Sequence, residues 1–222
     1  MVLGVYGASG LGSEYCETAE TVNKTEKRWD EIVFVDDAPE KAGQSLVDHR
    51  IYSFKEVMEK YNKDSIEFII AIGEPQVKDK VFKKLEGNGC KLTNIFYPGT
   101  IFGLNYTIGH GIMIQNNSCI PPMAVWGNNI LIQSYAAMGH NLVLGDNVVV
   151  SSLSFIGGDT TIGKNTYVGP CACLRNGIHI GENVIIGMGS VVTKDIPDNA
   201  VVYGNPAKIA RYNDNGRVFS KG

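Results

Sequence analysis

The chain has 222 residues, 44% of them apolar, with a net charge of −3, enough for one large core or two small ones. Its Lys and Arg residues are scattered rather than clustered, which argues against a nucleic-acid surface, and no apolar run approaches the ~18 residues needed to cross a bilayer. The start, Met1-Val-Leu-Gly, lacks the basic pattern of a leader, and the five cysteines form no CxxC pair, so a cytoplasmic protein with reduced thiols is expected.

The first 97 residues alternate strands and helices. Leu3-Gly-Val-Tyr is a short apolar strand ending in Gly7-Ala-Ser-Gly-Leu-Gly12, and a helix follows from about Ser13. Glu31–Asp36 and Glu67–Gly73 read as two further strands. Ser53 caps a helix to Tyr61, Gln76–Leu85 forms another, and Lys91–Phe96 a last strand. Such alternation predicts a parallel sheet with helices packed on it, a Rossmann-like domain over residues 1–98.

Beyond Pro98 the period changes. Every sixth residue from Phe102 to Val192 is apolar, sixteen positions without a phase slip, and glycine follows ten of them. A period of six marks a β-helix: each hexad makes one short strand and a turn, and three hexads close an eighteen-residue coil. The anchor points into the prism, and the glycines are expected at tight corners. An α-helix would repeat its stripe every 3.6 residues, which this pattern does not. The β-helix is therefore assigned to residues 99–198, stacking about five coils. Residues 199–222 hold a Gly-Asn-Pro-Ala-Lys segment and a polar tail, read as a capping helix or a partly disordered end.

The hexad array followed by Gly204-Asn-Pro-Ala-Lys208, together with Gly7-x-x-Gly10-x-Gly12, Val35-Asp36-Asp37, Ile70-Ala-Ile-Gly73 and His140, resembles the sugar O-acyltransferase family. That family includes sialic acid O-acetyltransferases and nucleotide-amino-sugar N-acetyltransferases. The resemblance implies a left-handed β-helix, a homotrimer packed along the rods, acetyl-CoA as donor and no metal. It also implies a sugar acceptor, usually nucleotide-linked, gripped by the N-terminal domain.

His140 is the candidate base, because an attacking amine or hydroxyl must lose a proton and imidazole titrates near neutrality. Gly158, eighteen residues on, is the candidate oxyanion donor. Carried over from the family, Val149, Gly158, Pro170 and Met188 would contact the donor. Ser9, Gly10, Leu11, Asp36, Asp37 and Gly73 would contact the acceptor. The Gly-rich turn suits a phosphate, and Asp36 sits where a carboxylate would hold a ribose.

Two positions depart from the family pattern: Leu11 stands where histidine is usual, and Asn141 where an acid follows the base. Other readings stay open: a non-catalytic trimeric sugar-nucleotide binder, or transfer to serine, sialic acid or another small acceptor. A dinucleotide-dependent oxidoreductase would need a second α/β domain that the hexads displace. Zinc held by several histidines, as in β-helical carbonic anhydrases, is disfavoured because His110, His140 and His179 are not spaced by multiples of eighteen. Met123, Trp126, Tyr135 and Phe155 are expected to pack between rods.

Overall fold

The computed structural model describes residues 1–214 and 216–219. The N-terminal part is a six-stranded sheet ordered β3-β4-β2-β1-β5-β6. Its strands are β1 (Val2–Tyr6), β2 (Glu31–Val35), β3 (Ser45–Leu46), β4 (His49–Tyr52), β5 (Ile66–Ile70) and β6 (Lys91–Leu92). β3 and β4 form an antiparallel hairpin, and the other pairings are parallel. β1, β2 and β5 are buried on both faces, as the unbroken apolar runs of a parallel sheet require. Helix α1 (Gly10–Glu26), α2 (Phe54–Lys60) and α3 (Pro75–Gly87) complete the layers. Ser53 starts α2 through a capping box with Glu56. The β3–β4 hairpin escaped sequence analysis, being two short strands of mostly polar residues.

The strand expected over Lys91–Phe96 is split. Lys91–Leu92 closes the N-terminal sheet, whereas β7 (Ile95–Phe96) pairs with Met113–Ile114 and opens the β-helix. From there each strand pairs in parallel with the strand eighteen residues on, as in Leu131↔Val149, Val125↔Val143 and Ala137↔Phe155. The first face of the prism contains Leu131, Val149 and Tyr167, the second Val125, Val143 and Thr161, the third Ala137, Phe155 and Cys173.

Anchors from Ile114 to Val192 are buried in one continuous cluster, with Met138 partly so. Each such side chain contributes on the order of 2 kcal/mol by leaving water. Trp126 belongs to this interior and is 3% exposed, so it is no rod-to-rod contact. Met123, Tyr135 and Phe155 are exposed. Phe102, an anchor at the open end with no coil beyond it, is exposed too.

The corners work differently from the sequence expectation. Left-handed backbone falls three residues after fifteen of the sixteen anchors, at Asn105, Asn117, Asn129, Asn141, Asn147, Asn165 and Asn183, at Gly111, Gly177 and Gly189, and at Met123, Tyr135, Leu153, Asp159 and Cys171. Asparagine and glycine tolerate that conformation best. The glycine directly after the anchor serves stacking instead: a Cβ on Gly127 would fall 2.9 Å from the Asp146 nitrogen of the next coil.

The described residues of the tail form no capping helix. Ala200–Gly204 joins the first face and folds back antiparallel onto Ala207–Tyr212 through a cis Asn205–Pro206 bond.

The two parts share a core. Ile95, Met113, Leu131 and Val149 on the outside of the first face pack with Tyr15, Cys16 and Ala19 of α1. Beside them α3 meets a ladder of corner asparagines. Asn129 Nδ2 donates to Asn147 Oδ1 (2.7 Å), and Asn147 Nδ2 to Asn165 Oδ1 (2.9 Å). Lys78 donates to Asn129, Asn147 to Asp79 (3.0 Å), and Gln76 to Asn183 (2.5 Å). Lys78 is fully buried, and burial pushes its amine down to about 7.

Candidate active site

His140 lies two residues after the anchor Met138, on the edge between the third and second faces. Its imidazole lies across Gly158 of the next coil: a Cβ there would stand 2.9 Å from both Cε1 and Nε2. Asn141 takes the left-handed corner (φ 55°) and its Nδ2 donates to Asp159 Oδ1 at 2.9 Å. The same Asp159 oxygen is 3.8 Å from His140 Nδ1, and the Asp159 amide donates to the His140 carbonyl at 2.9 Å. Imidazole and carboxylate are both more than half exposed. The acid missing after His140 in the chain is thus supplied one coil along. Sequence reasoning passed over Asp159, although its eighteen-residue offset from Asn141 was available.

Pro170 and Met188 sit on the edge between the first and third faces, with Met188 75% exposed. Val149 is buried between the first face and α1. One copy therefore brings His140, Asn141 and Gly158 together but leaves Pro170 and Met188 on another edge, and Val149 on the face opposite.

Ser9, Asp36 and Gly73 line a cavity of about 340 Å³ with Tyr6, Gly7, Lys41, Glu74 and Phe219. The three turn glycines have separate roles. Gly7 needs its φ of 118° and would otherwise press on the Ala71 carbonyl (2.6 Å). Gly12 lets α1 pack on the strand, where a Cβ would collide with the Gly7 carbonyl. A Cβ on Gly10 meets nothing, so this first residue of α1 faces open space. Ser9 is the N-cap, and its side chain makes no capping bond.

Asp36 accepts from Lys41 Nζ (2.7 Å) and from the amides of Ala8 (2.9 Å) and Ala38 (3.0 Å). Burial would raise its carboxyl, but these bonds outweigh it and hold the group below the usual range. Asp37 accepts from Tyr6, from Lys84 Nζ (2.5 Å) and from the Phe54 amide (2.9 Å), and for the same balance of causes its carboxyl also lies low. It ties β2 to α2 and α3 and does not line the cavity.

An adjoining cavity of about 300 Å³ is lined by Leu11, Gly73, Val149, Glu14, Tyr167 and Phe219. Phe219 borders both, edge-on to Tyr167 at 5.5 Å, and Glu74 accepts from the amides of Val218 (2.7 Å) and Phe219 (3.1 Å). Lys41, Glu74, Tyr167 and Phe219 were missed in the sequence. Lys41 follows an unremarkable loop, and Phe219 lies in a tail that carries no periodicity.

The profile of the PglD N-terminal domain matches residues 2–85, and that of the bacterial transferase hexapeptide (six repeats) matches residues 159–194. The chain therefore joins a PglD-type N-terminal domain to a β-helix of bacterial transferase hexapeptide repeats. A comparison with curated proteins finds no match. Among solved structures, WeeI from Acinetobacter baumannii is 28% identical with a TM-score of 0.87, over 94% of this chain and 99% of that one. The acetyltransferase domain of PglB from Neisseria gonorrhoeae, in complex with acetyl coenzyme A, is 25% identical with a TM-score of 0.81, over 94% and 98%. A variant of perosamine N-acetyltransferase from Caulobacter crescentus, in complex with CoA and GDP-perosamine, shares the fold at 20% identity (TM-score 0.86, 95% and 97%). The expected order of an α/β domain followed by a left-handed β-helix is borne out. No helix among the described residues is long and apolar enough to cross a membrane.

Proposed function

We propose that this acyltransferase moves an acetyl group from acetyl-CoA to an amine or hydroxyl of a nucleotide-linked sugar. His140 is the general base, and no acyl-enzyme forms. The observation that carries this is the placement of the imidazole over Gly158 with the Asp159 carboxylate behind it. The acetyl-CoA complex of the PglB acetyltransferase domain supports the donor. As the acceptor nitrogen or oxygen attacks the thioester carbon, its proton passes to the imidazole, and the charge on the carbonyl oxygen is met by the Gly158 amide. Collapse breaks the C–S bond, and the imidazolium returns the proton to the CoA thiolate. Asp159 favours the imidazolium that forms midway.

The acceptor's nucleotide part belongs in the cavity of Ser9, Asp36 and Gly73, with Lys41 as the cation for a phosphate and Gly10 at the adjoining start of α1. Pro170 and Met188 occupy a different edge from His140, and the acceptor cavity lies with the first face, so a complete site needs more than one copy. A homotrimer, with donor channels between rods, meets that need. The exposed Met123, Tyr135 and Phe155 give such rods apolar surface to bury. The rival reading, a sugar-nucleotide binder without turnover, rests on Leu11 replacing the usual histidine. Thiol release from acetyl-CoA, measured against nucleotide-linked amino sugars and free sugars for wild type and His140→Ala, separates the two. Turnover that collapses in the variant supports the base, and tight binding without thiol release supports the rival. Sedimentation equilibrium reporting a monomer would remove the shared site.

A further inference from the structure

Apart from the transfer site, three groups of different chemistry converge between α1 and the edge hairpin. Cys16 and Glu20, one helical turn apart, share a face of α1. His49 reaches them from β4, and the sulfur, a carboxylate oxygen and a ring nitrogen all lie within 4.8 Å of one another. His49 Nδ1 is 2.9 Å from the Ile32 carbonyl, an obligate acceptor, so Nδ1 carries the proton. The ring is further fixed edge-on to Phe34 at 6.3 Å. Its remaining nitrogen, Nε2, is 2.9 Å from Glu20 Oε1. Two lone-pair atoms at that separation need something between them: a proton, carried by the ring or by the carboxyl, or a metal ion held by both.

We propose that Cys16, Glu20 and His49 form a site for a divalent transition metal of the zinc class. Thiolate, imidazole and carboxylate are the donor set such an ion takes, and ligands around a tetrahedral zinc stand roughly 3.5 Å apart. The Ile32 carbonyl on Nδ1–H is the outer-sphere bond that orients metal-bound histidines. Glu20 is half-exposed and can swing to adjust its distance, whereas Cys16 is buried at the base of the site. Glu20 and His49 border a surface cavity of about 560 Å³, with Asn23, Lys24, Trp29 and Asp30, through which solvent reaches the site. Binding displaces the thiol proton to solvent and ties β4 to α1. The site bears on the stability of the N-terminal domain and is independent of the transfer chemistry at His140.

The test uses the full-length protein stripped with a chelator. Zn²⁺ titrated against a chromophoric chelator should give one ion per chain. Co²⁺ should give a thiolate charge-transfer band in the near ultraviolet. Saturation should raise Tm by several degrees. Cys16→Ala/His49→Ala should lose the ion and the band, and Cys90→Ala, which alters another buried thiol of the same domain, should keep both. Glu20→Gln, a surface change that spares the core, should weaken binding at least tenfold even if the double variant fails to fold. The proposal is overturned if the wild type takes up no stoichiometric metal, or if Glu20→Gln binds as tightly as the wild type. Ring signals of His49 that show both N–H protons and ignore Zn²⁺ would overturn it equally.

Discussion

The Asp159 carboxylate stands 3.8 Å from His140 Nδ1, one coil along the β-helix, and the side-chain amide of Asn141 holds it there at 2.9 Å. The carboxylate beside the proposed base therefore comes through stacking rather than from the neighbouring residue in the chain. Asp159→Asn should lower kcat/KM about tenfold, the lower end of what is lost when an orienting partner is removed. Asp159→Asn/Asn141→Asp should recover most of it, since the pair is restored in reverse. Steady-state kinetics on both variants check this. A double variant no better than the single one would mean that the position of the acid, and not its presence, matters.

Gly158 is small because the imidazole lies on it. Gly158→Ala puts a methyl 2.9 Å from Nε2 and displaces the ring. We expect kcat to fall at least thirtyfold with KM nearly unchanged, and the thermal midpoint to move little. An unchanged kcat would remove Gly158 from the site.

In the Gly-rich turn, structure and function separate cleanly. Gly12→Ala drives a Cβ into the Gly7 carbonyl and should lower Tm by several degrees or prevent folding. Gly10→Ala meets nothing, so Tm should hold while the acceptor KM rises. Melting curves beside acceptor titrations distinguish the two, and equal losses of stability would contradict the separation.

Lys78 makes stability depend on pH. Its folded amine is held at about 7, while the unfolded one titrates near 10.4. Between those values the unfolded chain binds the extra proton, so stability rises with pH through this window; below it both states are protonated, and the cost of burying the charge is at its full, pH-independent value. Relative to Lys78→Met, wild type should gain up to about 1.4 kcal/mol per pH unit between pH 7 and pH 10. Urea unfolding at pH 7 and 9.5 measures the difference, and a constant difference would show that the buried amine titrates as it does in the unfolded chain.

The sequence by itself determined the two-part architecture, because two physical periods cannot be confused: strands alternating with helices up to Leu92, then one apolar side chain every sixth residue into a closed prism. It pointed to His140 and the turn of Ser9 and Gly10 through resemblance, and to Gly158 through the eighteen-residue coil. Tertiary structure decided what periodicity cannot encode. Whether Asp36 is held by Lys41, whether Phe219 reaches across to Tyr167, and whether Val149 is buried against α1 depend on how separate elements pack. The role of the corner residues was also decided there. Left-handed backbone is a property of the closed coil, and the glycine after each anchor answers to the neighbouring coil rather than to its own turn. Trp126 shows the same division: its place in the hexad sends it inward, whatever its suitability for an interface, because only the prism interior accepts the anchor side chain.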